Sequence, residues 1–279
     1  MLTDLRNILA KAQKGGYAVG HFNATDTDML EAVIVAAEEL RAPVIIGTAQ
    51  VLLPYGELKL IAPSMIAAAK RASVPVVVHF DHGLSFERCM EALKLGFTSI
   101  MYDGSAEEID RNLQQTEEIV RICHSLGASA EGEIGHVGLA QDGDGGQSGM
   151  YTTPEEAVWF AKETGVDALA VAIGTAHGVY KEKPKLDIER LRAIRAKLAV
   201  PLVLHGGSGL SDEDFRSTIS AGVAKVNVHT DLCLAGMEAM RTAIADGLDY
   251  LSVRQRKTAA IKAEVMRKIC LFGSAGKAD

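Results

Sequence analysis

Eight short apolar runs constrain this chain more than any other feature. They are YAVGHFN (17–23), PVIIGT (43–48), PVVVHFD (75–81), SIMYD (99–103), SAEGEIG (129–135), ALAVAIG (168–174), PLVLHGG (201–207) and KVNVHT (225–230). None alternates strongly between apolar and polar positions. A strand that is apolar on both sides needs cover on both, which is the condition of a parallel sheet wrapped by helices. Helical periodicity fills the gaps. DTDMLEAVIVAAEELR places Met29, Val33, Ala36 and Leu40 on one stripe. In TPEEAVWFAKETG, Thr153 reads as the N-cap, Pro154 as the first helical residue and Glu156 as the capping-box partner. SAEEIDRNLQQTEEIVRICHSLG opens on the same box, Ser105 to Glu108. MLTDLRNILAKAQKGG reads as a short amphipathic helix.

Eight βα units in 279 residues predict a (β/α)8 TIM barrel with extra C-terminal helices. A doubly wound sheet would carry a Gly-rich phosphate fingerprint after its first strand; here that place holds NATDTD. We expect one barrel domain over 1–279. Residues 231–279 form a helical extension that can pack on the barrel or on a partner subunit. The segment 136–152, HVGLAQDGDGGQSGMYT, has five glycines and no apolar period, and reads as a long mobile loop over the site.

Charge and cysteine usage narrow the setting. Lys plus Arg total 29 and Asp plus Glu 36, a formal net charge of −7, which argues against nucleic-acid and anionic-membrane partners. No run approaches the ~20 apolar residues of a transmembrane helix, and the N-terminus lacks a signal peptide's apolar block. Cys89, Cys123, Cys233 and Cys270 form no C-x-x-C pair. They read as reduced, buried structural thiols of a cytoplasmic protein.

The polar residues collect where barrel strands end. A hydrophobic strand that finishes on Asp81 and His82 is costly unless the charge is paired or bound to a metal. The other strand ends carry Asn23, Asp103 and Glu133. His177 lies just past the sixth strand, His205 in the seventh, and Asn227, His229 and Thr230 at the eighth. In a barrel these ends share one face. Three histidines from separate strands suit a divalent transition metal with one position left open. Asp81 beside them is placed for proton transfer. Adjacent strand residues face opposite ways, so both serve one site only if the strand ends there, which Gly83 permits. Asp103 and Glu133 read either as a second, weaker cation position or as cap and hydrogen-bonding groups. His79 reads as a barrel-layer residue and His124 as a surface residue near a helix end. Gly178, and Gly206, Gly207 and Ser208 after His205, let backbone N–H groups approach an anion. With Asn227 and Thr230 they form a candidate phosphate site.

With these residues assembled, the chain resembles the class II, metal-dependent fructose-bisphosphate/tagatose-bisphosphate aldolase family. The matching stretches are GYAVGHFN, DHG, EGEIGHVG, DALAVAIGTAHGVY, PLVLHGGSGLSDEDF, AKVNVHTDL and LFGSAGKA, from near residue 16 to the end. The resemblance implies a (β/α)8 barrel and a catalytic zinc held by His82, His177 and His205. It implies Asp81 as the proton-transferring group. It places substrate and phosphate contacts on Asn23, Gly178, Gly206, Gly207, Ser208, Asn227 and Thr230, and His229 between the last two is a further substrate-binding candidate read from its position. Asp103 and Glu133 match acidic positions tied to alternative metal binding, and a monovalent cation (Na⁺ or K⁺) near the phosphate is a family feature. The reaction implied is reversible cleavage of a phosphorylated ketose to dihydroxyacetone phosphate and an aldehyde. The partners expected are a small sugar phosphate and further copies of the chain, as a homodimer or homotetramer.

Two positions depart from the family pattern. Where bisphosphate aldolases carry a loop glutamate as base, this chain has Gln141 followed by Asp142, so Asp142 is the candidate loop base. Between Val228 and Thr230, where Asn, Asp or Ala is frequent, stands His229. Both lie on the substrate side of the site and put the acceptor in doubt, leaving bisphosphate and monophosphate substrates open. Two other classes compete: a barrel metallohydrolase, and a non-catalytic sugar-phosphate-binding barrel. The paired glycine turns speak against the first, and the intact metal triad beside Asp81 against the second.

Overall fold

The computed structural model describes residues 1–138, 151–178, 180 and 184–279. Eight parallel strands close on themselves, in chain order: β2 (Val19–Asn23), β3 (Val44–Ala49), β4 (Val76–Gly83), β5 (Ser99–Tyr102), β6 (Ser129–Ile134), β7 (Ala168–Val171), β8 (Leu202–Leu204) and β9 (Val223–Val228). Closure comes from β2, which pairs with both β3 and β9. A two-residue strand, β1 (Leu2–Thr3), adds to the N-terminal end of β4. This is the expected TIM barrel.

Helix α1 (Leu5–Gly15) plugs the N-terminal mouth. Its sequence explains why. Leu5, Ile8, Leu9 and Ala12 recur at helical spacing and are all buried. Asp4 caps the start by accepting from the Asn7 N–H, and Gly16 ends the helix at φ 67°. That stripe meets the inward side chains Val19, Ile45, Val77, Ala168, Ala170 and Val203. The fully buried Leu9 alone contributes about 1.5–3 kcal/mol. One end of the barrel is thus dry, and the opposite end carries the polar groups.

The interior changes character moving up the strands. Two residues beyond Val19, Val77, Ser129 and Val223 come His21, His79, Glu131 and Lys225, none with measurable exposure. Two further on come Asn23, Asp81, Glu133 and Asn227. Period-two alternation keeps each series on the inner face. Gly47 of β3 makes the polar layer possible. A Cβ there would stand 2.2 Å from the His79 carbonyl oxygen and 2.6 Å from His21 Nε2. Gly47→Ala is therefore expected to destabilise by about 1–3 kcal/mol or more, as overpacking does. A denaturation midpoint equal to wild type would show that the layer is looser than described.

The helices follow their sequence signals with one exception. α6 (Pro154–Thr164) has the capping box of Thr153 and Glu156. Helix α5 (Ile109–Ser125) starts later than its sequence pattern indicates, with Glu108 as its N-cap and no side-chain capping bond. The Ser105–Glu108 box does not form, because the Ser105 hydroxyl instead donates to Asp103 Oδ1 at 2.7 Å. The C-terminal extension is α9 (Thr230–Ala245) and α10 (Tyr250–Leu271). It packs on its own barrel, α10 lying against α2 (Thr27–Glu39) and α9. Ile261, Val265 and Ile269 are buried there, and Lys257 bridges Asp26 and Asp28 at the start of α2. Among the described residues no helix is long and apolar enough to cross a membrane. All four cysteines are free; Cys89 and Cys123 are buried as expected, whereas Cys233 and Cys270 are exposed.

Candidate active site

The C-terminal ends of the strands surround a cavity of about 460 Å³. Asn23, Asp81, His82, Asp103, His177, Gly178, Gly206, Gly207, Ser208, Asn227, His229 and Thr230 all line it, with His136 and the apolar residues Val51, Leu52 and Leu84. Of the positions singled out in the sequence, His205 and Glu133 lie below this surface, fully buried. Gln141 and Asp142 fall outside the described residues, so the candidate loop base is not placed.

Asp81 and His82 enter the site together by a route the sequence did not suggest. β4 does not stop at Asp81; it runs to Gly83, with a register shift against β5 between Phe80 and Gly83. The residue that turns is His82, at φ +43°, an uncommon conformation for a non-glycine residue. Such strain persists where the surroundings over-determine it. Here His82 Nδ1 is fixed at 2.6 Å from Asp103 Oδ2. Gly83 is required for a different reason, since a Cβ there would stand 2.4 Å from Cys89 Sγ.

Three imidazoles converge. One nitrogen from each of His82, His177 and His205 lies within 4.8 Å of the other two. Buried and without a hydrogen-bond partner are His82 Nε2, His177 Nε2 and His205 Nδ1. The opposite nitrogen of each ring is engaged: His82 Nδ1 by Asp103, His177 Nδ1 by the Val137 carbonyl at 3.2 Å, and His205 Nε2 by Glu131 Oε1 at 3.0 Å. Leaving three buried ring nitrogens without a partner is costly. Ring orientation fixed from behind with a bare nitrogen in front is how metal-binding histidines are arranged. The residues therefore fit a divalent ion.

Asp103 serves from behind in this arrangement. Its Oδ2 meets His82, and its Oδ1 accepts from the Ser105 N–H and hydroxyl. Glu133 stands differently. Oε1 accepts from the Val137 N–H at 3.2 Å, and Oε2 is free, 3.2 Å from His205 Nδ1 but out of line for a hydrogen bond.

Asp81 is cradled by two amides. Asn23 Nδ2 donates to Oδ2 at 2.9 Å and Asn227 Nδ2 to Oδ1 at 3.0 Å. Burial would raise its pKa, but the charge of His82 and the contacts of His21 and His79 hold it well below the ordinary carboxylate value. Burial keeps His21 and His79 neutral. His79 is a barrel-layer residue, as its position indicated, its Nδ1 2.8 Å from Ser99 Oγ. His124 is near the end of α5, at the surface, against Asp167.

The far wall is made of a glycine turn and the start of a helix. Gly206 has φ +65°, and a Cβ on it would meet the Ala176 carbonyl oxygen at 2.5 Å. Ser208 Oγ accepts from the His229 N–H at 3.3 Å. His229 is the N-cap of α9, so Thr230 opens that helix with its N-terminus toward the cavity. Burial lowers the pKa of His229, whose ring nitrogens face the Asn23 carbonyl and Cys233 Sγ.

Titration gives a sign to check. Burial alone would lower the pKa of His205, but the carboxylates of Glu131 and Glu133 raise it to about 10. A proton held more tightly in the folded than in the unfolded chain stabilises the fold below the unfolded value of about 6.5. That contribution is lost as pH rises toward about 10. A metal ion displaces the same proton, so metal affinity changes the opposite way, rising with pH. The denaturation midpoint of metal-free protein should fall across this window, and the fall should vanish in His205→Gln. A flat profile in wild type would contradict the buried, proton-holding His205.

Sequence reasoning missed Glu131 and Lys225. Both lie two residues before a recognised site residue, Glu133 and Asn227, and so on the same strand face; that parity was the available signal.

Comparison with known proteins agrees with this geometry. The family model for fructose-bisphosphate aldolase class-II matches residues 3–277. The chain belongs to the class II aldolase family, whose members are generally metal-dependent lyases. Among relatives, it is 41% identical over 277 residues to 6-phospho-5-dehydro-2-deoxy-D-gluconate aldolase of Shouchella clausii, covering 97% of this chain and 94% of that one. It is 38% identical to fructose-bisphosphate aldolase of Geobacillus stearothermophilus, covering 99% of each. The crystal structure of the YdjI aldolase from Escherichia coli K12 superposes with a TM-score of 0.92 at 39% identity, covering all of both chains.

Proposed function

We propose that this protein is a zinc-dependent aldolase that reversibly cleaves a phosphorylated ketose to dihydroxyacetone phosphate and an aldehyde. One observation carries the reading. Three bare, buried imidazole nitrogens face one another beside an ionised aspartate, in a cavity whose far wall is a glycine-lined helix start. His82, His177 and His205 would hold the zinc ion, which when bound supplies Lewis-acid polarisation of the substrate's oxygens. The rest is done by the chain itself. Gly206, Gly207 and Ser208, with the start of α9, bind the donor phosphate and fix the donor's position. Asn23 and Asn227 aim the Asp81 carboxylate. Asp81 takes the proton from the C4 hydroxyl as the C3–C4 bond breaks, and returns it in the condensation direction.

Among the described residues, no lysine or arginine lines the cavity. Among those residues a second phosphate on the acceptor end finds no side-chain cation, which favours a ketose 1-phosphate with an unphosphorylated acceptor end over a 1,6-bisphosphate. The relative named for 6-phospho-5-dehydro-2-deoxy-D-gluconate points the same way. The test is retro-aldol cleavage screened across ketose 1-phosphates and 1,6-bisphosphates, read by dihydroxyacetone phosphate release. We expect release that needs metal and is fastest with a monophosphate. No release from any of them by zinc-loaded protein would leave the non-catalytic binding barrel as the better reading.

A further inference from the structure

We infer that Lys225 is a positioning residue for the metal site, acting through Glu131 on His205; this rests on the zinc reading above. Lys225 lies in the middle of β9, opposite Val19 of β2 and Val203 of β8, with no exposed surface. A buried ammonium group is costly unless paired. Its partner is Glu131, equally buried, whose Oε2 and Oε1 stand 2.9 and 3.0 Å from Nζ. Holding both oxygens fixes the plane of the carboxylate. Oε1 also receives His205 Nε2 at 3.0 Å, so the ring is oriented from behind and Nδ1 is left bare toward His82 and His177. The chain of contacts is Lys225 to Glu131 to His205.

Neither Lys225 nor Glu131 lines the cavity. Lys225 therefore cannot serve as an imine-forming lysine, and it has no contact through which to touch substrate. An apolar pair would fill the same space without two buried charges. What the ion pair adds is an ionised acceptor of fixed orientation behind one ligand. Loss of such a supporting group commonly weakens metal binding about 10–100-fold.

The experiment measures zinc affinity by competition with a chromophoric chelator, in wild type and in Lys225→Met, which keeps the aliphatic volume. Melting of the metal-free forms and kcat at saturating zinc are recorded alongside. We expect about 10–100-fold weaker zinc binding, with kcat close to wild type once zinc is saturating. Lys225→Met leaves Glu131 unpaired and can fail to fold. The double variant Lys225→Met/Glu131→Gln then decides, since it buries no lone charge and keeps an acceptor for His205. It too should bind zinc more weakly than wild type. Unchanged zinc affinity with only a lower melting temperature would make the pair merely structural and overturn the inference. So would a fall in kcat at saturating zinc with affinity unchanged, or borohydride trapping of substrate on Lys225. Wild-type protein that binds no zinc would instead remove the metal reading on which this rests.

Discussion

Asp81→Asn is expected to lower turnover by ~10²–10⁴-fold, the range for a lost proton-transfer group, with metal content unchanged. The substitution is nearly isosteric, so the strand and its bulge stay filled. It exchanges an ionised acceptor for an amide at the one carboxylate held between Asn23 and Asn227. Neither oxygen of Asp81 is needed for the three-imidazole cluster, so zinc bound per chain should match wild type. Because proton transfer belongs to the transition state, the loss should fall on kcat rather than on KM. Measuring steady-state cleavage together with elemental analysis of the same preparation settles the role. Zinc lost in parallel with activity would make Asp81 a ligand rather than a base.

The second large effect is loss of the metal itself. A strong chelator should abolish cleavage and added zinc restore it. His177→Ala is the cleanest genetic equivalent. His205 cannot be removed without stranding the Glu131 carboxylate, and His82 occupies a left-handed position that any replacement would disturb. Among the described residues, His177 is tied back through its ring contact with the Val137 carbonyl and its N–H bond to the Gly138 carbonyl. The backbone bond survives the substitution. Burial and the neighbouring histidines hold the His177 pKa down to about 3, so its ring is neutral and ready to ligate at any working pH. Losing one of three ligands should weaken zinc binding well beyond the ~100-fold upper range of supporting groups, while the barrel still forms. A His177→Ala protein with wild-type zinc affinity and activity would overturn the triad.

The barrel was legible because its cause is local. Eight doubly apolar runs separated by helical stripes leave few ways to bury themselves, and Leu5, Ile8, Leu9 and Ala12 announce a helix with one apolar face. Strand ends follow from the strands, so Asp81, His82, His177, His205, Asn227 and Thr230 could be placed on one face from the sequence alone. Depth along the strand, two residues before Asp81 on the same face, also placed His79 inside the layer rather than at the rim.

Other features depended on contacts between residues far apart in the chain. That His82 turns, and not Gly83, follows from how β4 shifts register against β5 and from the grip of Asp103, 21 residues away. Ser105 looked like a helix cap because its local pattern matched; Asp103 and His136 took its hydroxyl instead. Whether the C-terminal helices cover this barrel or a neighbour was undetermined until α10 met α2. The Lys225–Glu131 pair joins residues 94 apart in the chain. Sequence periodicity reports which face a side chain is on. It does not report which distant partner fills the space opposite, because that depends on closure of the barrel, and closure is what brings lysine and histidine each to 3.0 Å from one glutamate oxygen.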